Sequence, residues 1–178
     1  MIPAWVGLGS NLGKPCVALR RGMALMDALP GTQVRAVSPA YWTPPWGVTD
    51  QPDYLNAVVK LVTGLSALDL LLALLEIESR LGRRRDGERW APRELDLDLL
   101  VYDGLIMDEP ELTLPHPRLH QRAFALVPLH DISPKLEVPG LGTVAELLAA
   151  LPEEEKAGIR SADLPDKSGW LGEVRRDS

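Results

Sequence analysis

Gly82-Arg83-Arg84-Arg85-Asp86-Gly87-Glu88-Arg89-Trp90-Ala91-Pro92-Arg93-Glu94-Leu95-Asp96-Leu97-Asp98 is an arginine-rich loop that runs into a strand. Along a strand, residues i and i+2 share a face roughly 6.5–7 Å apart, so Asp96 and Asp98 project together while Leu95, Leu97 and Leu99 project to the other face. Two carboxylates so placed suit a hard divalent cation such as Mg²⁺, which is typically held by one or two carboxylates and completed by water and substrate phosphates. The arginines upstream supply planar donors for phosphate charge. An acid pair beside a basic loop suggests phosphoryl chemistry. The plainer account is a half-exposed strand after a solvated loop, and other stretches must decide between them.

Upstream of the loop, Ser66-Ala67-Leu68-Asp69 matches a helix start, and leucines at 68, 71, 72 and 75 with Ile77 and Leu81 carry a helix to Gly82. Before it, Leu55 to Val62 reads as a strand with Asn56 among apolar neighbours. A buried asparagine either bonds backbone or waits for a ligand. Tyr41-Trp42-Thr43-Pro44-Pro45-Trp46-Gly47-Val48-Thr49-Asp50-Gln51-Pro52-Asp53-Tyr54 is dense in proline and aromatics, a stiff loop offering flat apolar faces. Gln33 to Tyr41 reads as one strand interrupted by Pro39.

At the amino end, Ile2 to Val6 is a short apolar run consistent with a strand. Gly7-Leu8-Gly9-Ser10-Asn11-Leu12-Gly13-Lys14-Pro15 satisfies neither the Walker spacing nor the dinucleotide fingerprint, and reads as a strand-to-helix turn lining a site. Pro15 suits a first helical turn, and Cys16, Leu19, Met23 and Met26 form the buried stripe of a helix ending at Pro30-Gly31. The strand that carries the acid pair runs Leu95 to Tyr102 and turns at Asp103-Gly104. Leu112-Thr113-Leu114-Pro115-His116-Pro117-Arg118 is extended, and Arg122 to Ile132 and Thr143 to Leu151 read as helices. A domain over 1–151 and a loosely attached tail over 152–178 are expected.

Strands and helices follow the order β-α-β-β-α-β. That is the α+β, ferredoxin-like split βαβ sandwich, a mainly antiparallel sheet with helices on one face. The fold hosts many functions and decides none of them.

The chain has 178 residues, 46% apolar and 25% charged, with a formal net charge of −6. An acidic balance argues against broad nucleic-acid binding. No apolar run reaches the length of a membrane span. The start, Met1-Ile2-Pro3-Ala4-Trp5, lacks the features of a secretory signal, so a cytoplasmic location is expected. The single cysteine, Cys16, has no internal disulfide partner. Arg80, Arg83, Arg84, Arg85, Arg89 and Arg93 concentrate positive charge locally, as a small polyanion requires.

The combination of Gly7-Leu8-Gly9-Ser10-Asn11-Leu12-Gly13, Thr43-Pro44-Pro45-Trp46-Gly47, Gln51-Pro52-Asp53-Tyr54-Leu55-Asn56, Arg89-Trp90-Ala91-Pro92-Arg93-Glu94-Leu95-Asp96-Leu97-Asp98 and Leu114-Pro115-His116-Pro117 with Arg122 and Phe124 resembles one family. It is the 6-hydroxymethyl-7,8-dihydropterin pyrophosphokinases of folate biosynthesis, which move the terminal pyrophosphate of ATP onto a pterin alcohol. The resemblance covers roughly residues 4 to 151. It implies a pterin held between Tyr54 and Phe124, its edge read by Asn56 and by the loop Thr43, Pro44, Pro45 and Trp46. It also implies two Mg²⁺ ions on Asp96 and Asp98, catalytic arginines Arg83 and Arg93, and ATP contacts from Arg85, Trp90, Arg93, Thr113, His116 and Arg122.

The implied partners are ATP and the pterin alone, with no nucleic acid and no membrane, and the implied state is a monomer. Gly82 and Gly87 would make the Arg83 to Trp90 loop a lid. Glu111, Leu75 and Pro117 depart from residues of some members and bear on ATP affinity. Three other readings stand beside this one: a different Mg²⁺-dependent transferase on the same aspartates, an RNA-binding module, and association with a neighbouring folate-pathway enzyme. The second lacks the aromatic RNP signature. Taken singly, Tyr54 and Phe124 read as core aromatics and His116 as a structural histidine.

Overall fold

The computed structural model describes residues 1–45, 50–82 and 94–162. In chain order the first half comprises β1 (Ile2–Ser10), α1 (Pro15–Asp27), β2 (Thr32–Val37), β3 (Tyr41–Thr43), β4 (Tyr54–Thr63) and α2 (Ala67–Gly82). The second half comprises β5 (Asp96–Tyr102), β6 (Met107–Asp108), β7 (Thr113–Leu114), a 3₁₀ turn at Leu119–Gln121, α3 (Ala123–Ile132), β8 (Glu137–Val138), β9 (Gly142–Thr143), α4 (Val144–Ala150), α5 (Glu153–Lys156) and β10 (Arg160–Ser161). Among the described residues the main sheet is six-stranded, ordered β10-β3-β4-β1-β5 with β2 also on β4, and its pairings are antiparallel. It is a mixed fold of helices and antiparallel sheet.

The sequence accounts for most elements. Pro15 opens α1, which buries Leu19, Met23 and Met26, and the Ser66 hydroxyl accepts from the Asp69 N–H at the head of α2. The segment from Gln33 to Tyr41 is two strands rather than one. Ser38 divides them, donating its N–H to the Val58 carbonyl and accepting the Val58 N–H on Oγ, so β2 and β3 pair with successive parts of β4 around Pro39, which has no donor.

One expectation needs correction. Helices cover both faces of the sheet, not one. Ala4, Val6 and Leu8 of β1 join α1 and α2 in one core, whereas Trp5 and Val58 face a second core with Leu126 and Leu129 of α3 and Val144 of α4. The helix read over this stretch forms as α2, but most of the leucines that carry its pattern are not its buried side. Ala67, Leu70, Leu74, Ile77 and Glu78 are buried, while Leu68, Leu72 and Leu75 are exposed and Leu71 packs only at the core edge. Residues 153–162, assigned to the tail by sequence, form α5 and β10, and β10 adds to the sheet edge beside β3.

On β5 the alternation holds to Leu99 and then breaks. Register shifts between Trp5 and Val6, which pair with Val101 and Leu99, so Leu100 is an extra residue. This bulge turns both Leu100 and Val101 toward the second core. The Leu100 carbonyl then accepts the His116 N–H at 2.8 Å, which fixes the segment after β7 against β5.

Candidate active site

A cleft of about 340 Å³ opens at the ends of β1, β3, β4 and β5. On one side stand Asp96 and Asp98, half-buried and together, because the leucines between and around them are locked in the first core. The backbone between the aspartates is held from α2: the Leu97 N–H donates to Glu78 Oε1 at 2.7 Å. Glu78 also lines the cleft. Its only signal in the sequence is a carboxylate four residues beyond Leu74, on a helix whose leucines fall on several sides.

Arg122, the residue before α3, places Nη1 3.5 Å from Asp98 Oδ2 and its guanidinium carbon 5.4 Å from the centre of the Phe124 ring. It thereby links the acid pair to an aromatic wall. His116 lies on the same side. Burial holds its imidazole below the usual histidine range, with Arg122 and Arg118 adding to that and the Asp98 charge opposing it. Its Nδ1 accepts the Arg118 N–H at 3.3 Å, so a neutral ring keeps its proton on Nε2.

The other side is apolar and amide-lined. Asn56, buried on β4, donates from Nδ2 to Thr43 Oγ1 at 2.6 Å on β3. Gly9 pairs with Asn56 across β1 and β4, and a Cβ on Gly9 would fall 2.8 Å from Asn56 Oδ1. A side chain at this position would have to displace the Asn56 amide. Tyr54 stands opposite Thr43, its phenol pushed up first by burial and then by the Asp96 charge, which keeps it neutral. Phe124 and Pro44 complete this wall.

The cleft therefore unites Thr43, Pro44, Tyr54, Asn56, Asp96, Asp98, His116, Arg122 and Phe124. Pro45 instead lines an adjoining cavity of about 170 Å³ that shares Thr43, Pro44 and Phe124 with the cleft. Thr113 is exposed on β7, paired with Asp108, and is not among the cleft-lining residues. Trp46, Arg83, Arg85, Trp90 and Arg93, with the rest of the loop read as a lid, lie outside the described residues.

For Mg²⁺ the donor set fits. Asp96 and Asp98 share one face of β5 and both line the cleft, a pair of carboxylate donors on one wall. That matches an ion completed by substrate phosphates rather than by a protein cage. One end of the cleft thus suits metal-bound phosphates and the other a flat ring with donor and acceptor edges. Such a division describes a transferase acting between a phosphate donor and a heterocyclic acceptor.

Residues 5–134 match the family profile of 7,8-dihydro-6-hydroxymethylpterin-pyrophosphokinase (HPPK). The 2-amino-4-hydroxy-6-hydroxymethyldihydropteridine pyrophosphokinase of Pseudomonas aeruginosa is 45% identical over 150 residues, 84% of this chain and 92% of that protein. The Methylorubrum extorquens protein of the same name is 46% identical, over 85% of this chain and 94% of its own, and that of Bacillus subtilis 35% identical over 88% and 93%. This chain belongs to the 7,8-dihydro-6-hydroxymethylpterin-pyrophosphokinase family. A wild-type HPPK-DHPS structure from Plasmodium falciparum superposes with a TM-score of 0.68 at 13% identity, covering 83% of this chain. At that identity the likeness concerns fold alone, and this chain spans 44% of the Plasmodium chain.

Proposed function

We infer that this protein transfers the terminal pyrophosphate of MgATP to the hydroxymethyl group of 6-hydroxymethyl-7,8-dihydropterin and releases AMP, a step of folate biosynthesis. The observation that carries the reading is the placing of Asn56 and Tyr54 in the same cleft as Asp96, Asp98 and Arg122, in a chain of this family. A phosphoryl site alone has no use for an amide-lined aromatic wall.

On this reading the pterin lies between Tyr54 and Phe124. The Asn56 amide, held by Thr43, reads its donor and acceptor edge, and Pro44, Pro45 and Trp46 shape the loop around it. A buried amide that matches one ring edge discriminates strongly, because a mismatched ring leaves it unpaired. Asp96 and Asp98 would hold Mg²⁺ with ATP, as two ions. Bound there, the metal neutralises phosphate charge and acts as a Lewis acid. Arg122 and His116 bind phosphate oxygens, and Arg83, Arg85, Trp90 and Arg93 complete the ATP end from the loop. The pterin oxygen attacks the β-phosphorus, the bond to the α-phosphate oxygen breaks, and AMP leaves. Alignment and charge neutralisation supply most of the catalysis.

The strand order β3-β4-β1-β5 with α1 and α2 on one face supports a ferredoxin-like arrangement, to which α3 and α4 add a second layer. We assign the pyrophosphokinase domain to residues 1–151, with 153–162 bound at its edge, and take the chain to act as a cytoplasmic monomer. No described helix is long and apolar enough to cross a membrane.

Product analysis tests the activity. Incubation with MgATP and the pterin yields AMP and the pterin diphosphate. ADP as the nucleotide product would point instead to an ordinary phosphoryl transferase on the same aspartates.

A further inference from the structure

Residues 153–162 lie behind the Thr43–Pro45 wall, with 160–162 on the sheet edge, and take no part in the chemistry described above. β10 pairs antiparallel with β3, Arg160 opposite Trp42 and Ser161 opposite Tyr41, and the Ala162 N–H donates to the Ala40 carbonyl at 2.9 Å. Gly158 lies so close to Pro44 that a Cβ on it would sit 2.7 Å from Pro44 Cγ and 3.0 Å from Cδ. Arg160 forms an ion pair with Asp53, the residue preceding Tyr54. Glu154, Glu155, Gly158 and Ile159 form one wall of the smaller cavity, and Thr43, Pro44, Pro45 and Phe124 belong to the other.

This strap meets the heterocycle end of the cleft and not the phosphate end. In the sheet, β10 neighbours β3, whereas the acid pair sits on β5 at the opposite edge. Among the described residues none from 153 to 162 lines the main cleft, so its influence runs through residues that do. Such help is needed locally: Pro44 and Pro45 have no N–H with which to anchor their own loop. On the other flank, Asn11 Nδ2 holds Gln51 Oε1 at 3.2 Å and the Pro52 carbonyl at 3.3 Å, leaving Asp53 to be held by Arg160.

We propose that the strap 153–162 is a positioning element for the pterin, in which Gly158 seats Pro44 and Arg160 fixes Asp53, setting affinity for the flat heterocycle without touching it. The proposal rests on the pyrophosphokinase reading of the cleft. It makes Gly158 a specificity-determining position, since the absence of a side chain there sets how far Pro44 can retreat from the ring.

The test uses full-length Gly158→Val, Arg160→Ala and Arg160→Lys, with KM for pterin and for ATP read from AMP release and pterin binding read directly by fluorescence. Gly158→Val raises pterin KM and Kd by about tenfold, as displacement of a positioning wall does, and leaves ATP KM within about twofold. Arg160→Ala raises them about two- to fivefold, the scale of one exposed ion pair, and Arg160→Lys restores most of the loss. Equal shifts for both substrates, or no shift in folded Arg160 variants, would overturn the proposal. Direct binding separates it from the activity: if the wild type binds pterin without turnover, the pyrophosphokinase reading falls, and the strap stands or falls on whether pterin Kd rises in Gly158→Val and Arg160→Ala. A wild type that neither binds pterin nor turns it over overturns both.

Discussion

Gly9 and Asn56 face each other across β1 and β4 so closely that a methyl group on Gly9 would have to displace the Asn56 amide from its place in the cleft. Gly9→Ala is expected to push Asn56 off the Thr43 hydroxyl and raise pterin KM by at least about tenfold, with ATP KM little changed. Steady-state kinetics with each substrate varied in turn reads this split. At the other end, Asp98 is 45% exposed and opposes Arg122. Asp96→Asn and Asp98→Asn therefore lower turnover by at least about a hundredfold through lost charge organisation, with thermal midpoints close to wild type. Asn56 and the acid pair were legible in the sequence, as a polar residue inside an apolar strand and as carboxylates at strand spacing. Gly9 was legible only as part of a site-lining turn, whereas it lies in β1 against Asn56, 47 positions away; Glu78 was not legible, since its role is a contact to Leu97, 19 positions away.

At the scale of elements, β5 and α2 differ in how far sequence could define them. The period of two along Leu95 to Leu99 admits one inward face, and the structure keeps it. Helix α2 carries leucines on nearly every side, so periodicity identifies a helix without fixing its phase. Burial resolves it: Leu74 is 1% exposed and Leu72 62%. Leu74→Ala is accordingly expected to cost about 2–5 kcal/mol in urea unfolding. Leu72→Ala should remain within about 0.5 kcal/mol of wild type. The break in alternation at Leu100 was equally hidden, because a bulge depends on how β1 and β5 pair. Yet that bulge supplies the carbonyl that anchors His116.

At the scale of the whole molecule, the sheet is a shared wall between two cores, and side-chain bonds tie its second layer down. Trp5 Nε1 donates to Ser133 Oγ at 2.8 Å, and the Tyr41 hydroxyl donates to Asp131 at the end of α3. The second layer escaped the sequence reading because the β-α-β-β-α-β order is already complete at β5, and α3 and α4 follow it. Burial, the hydrogen bond to Asp131 and its negative charge push the Tyr41 phenol from 10.0 up to about 12. A raised folded value means the native state keeps its proton longer than the unfolded chain, so this stabilisation is complete below pH 10.0 and is lost as pH rises toward about 12. The stability difference between wild type and Tyr41→Phe should shrink over that interval in denaturant titrations. The central claim is that one cleft moves a pyrophosphate as a unit from ATP to a pterin alcohol. Its most direct test follows ATP labelled separately in the β- and γ-phosphates. The account predicts that both labels reach the pterin in equal amounts, that AMP carries neither, and that Asp98→Asn abolishes the transfer. Arrival of the γ label alone, or undiminished transfer by Asp98→Asn, would contradict it.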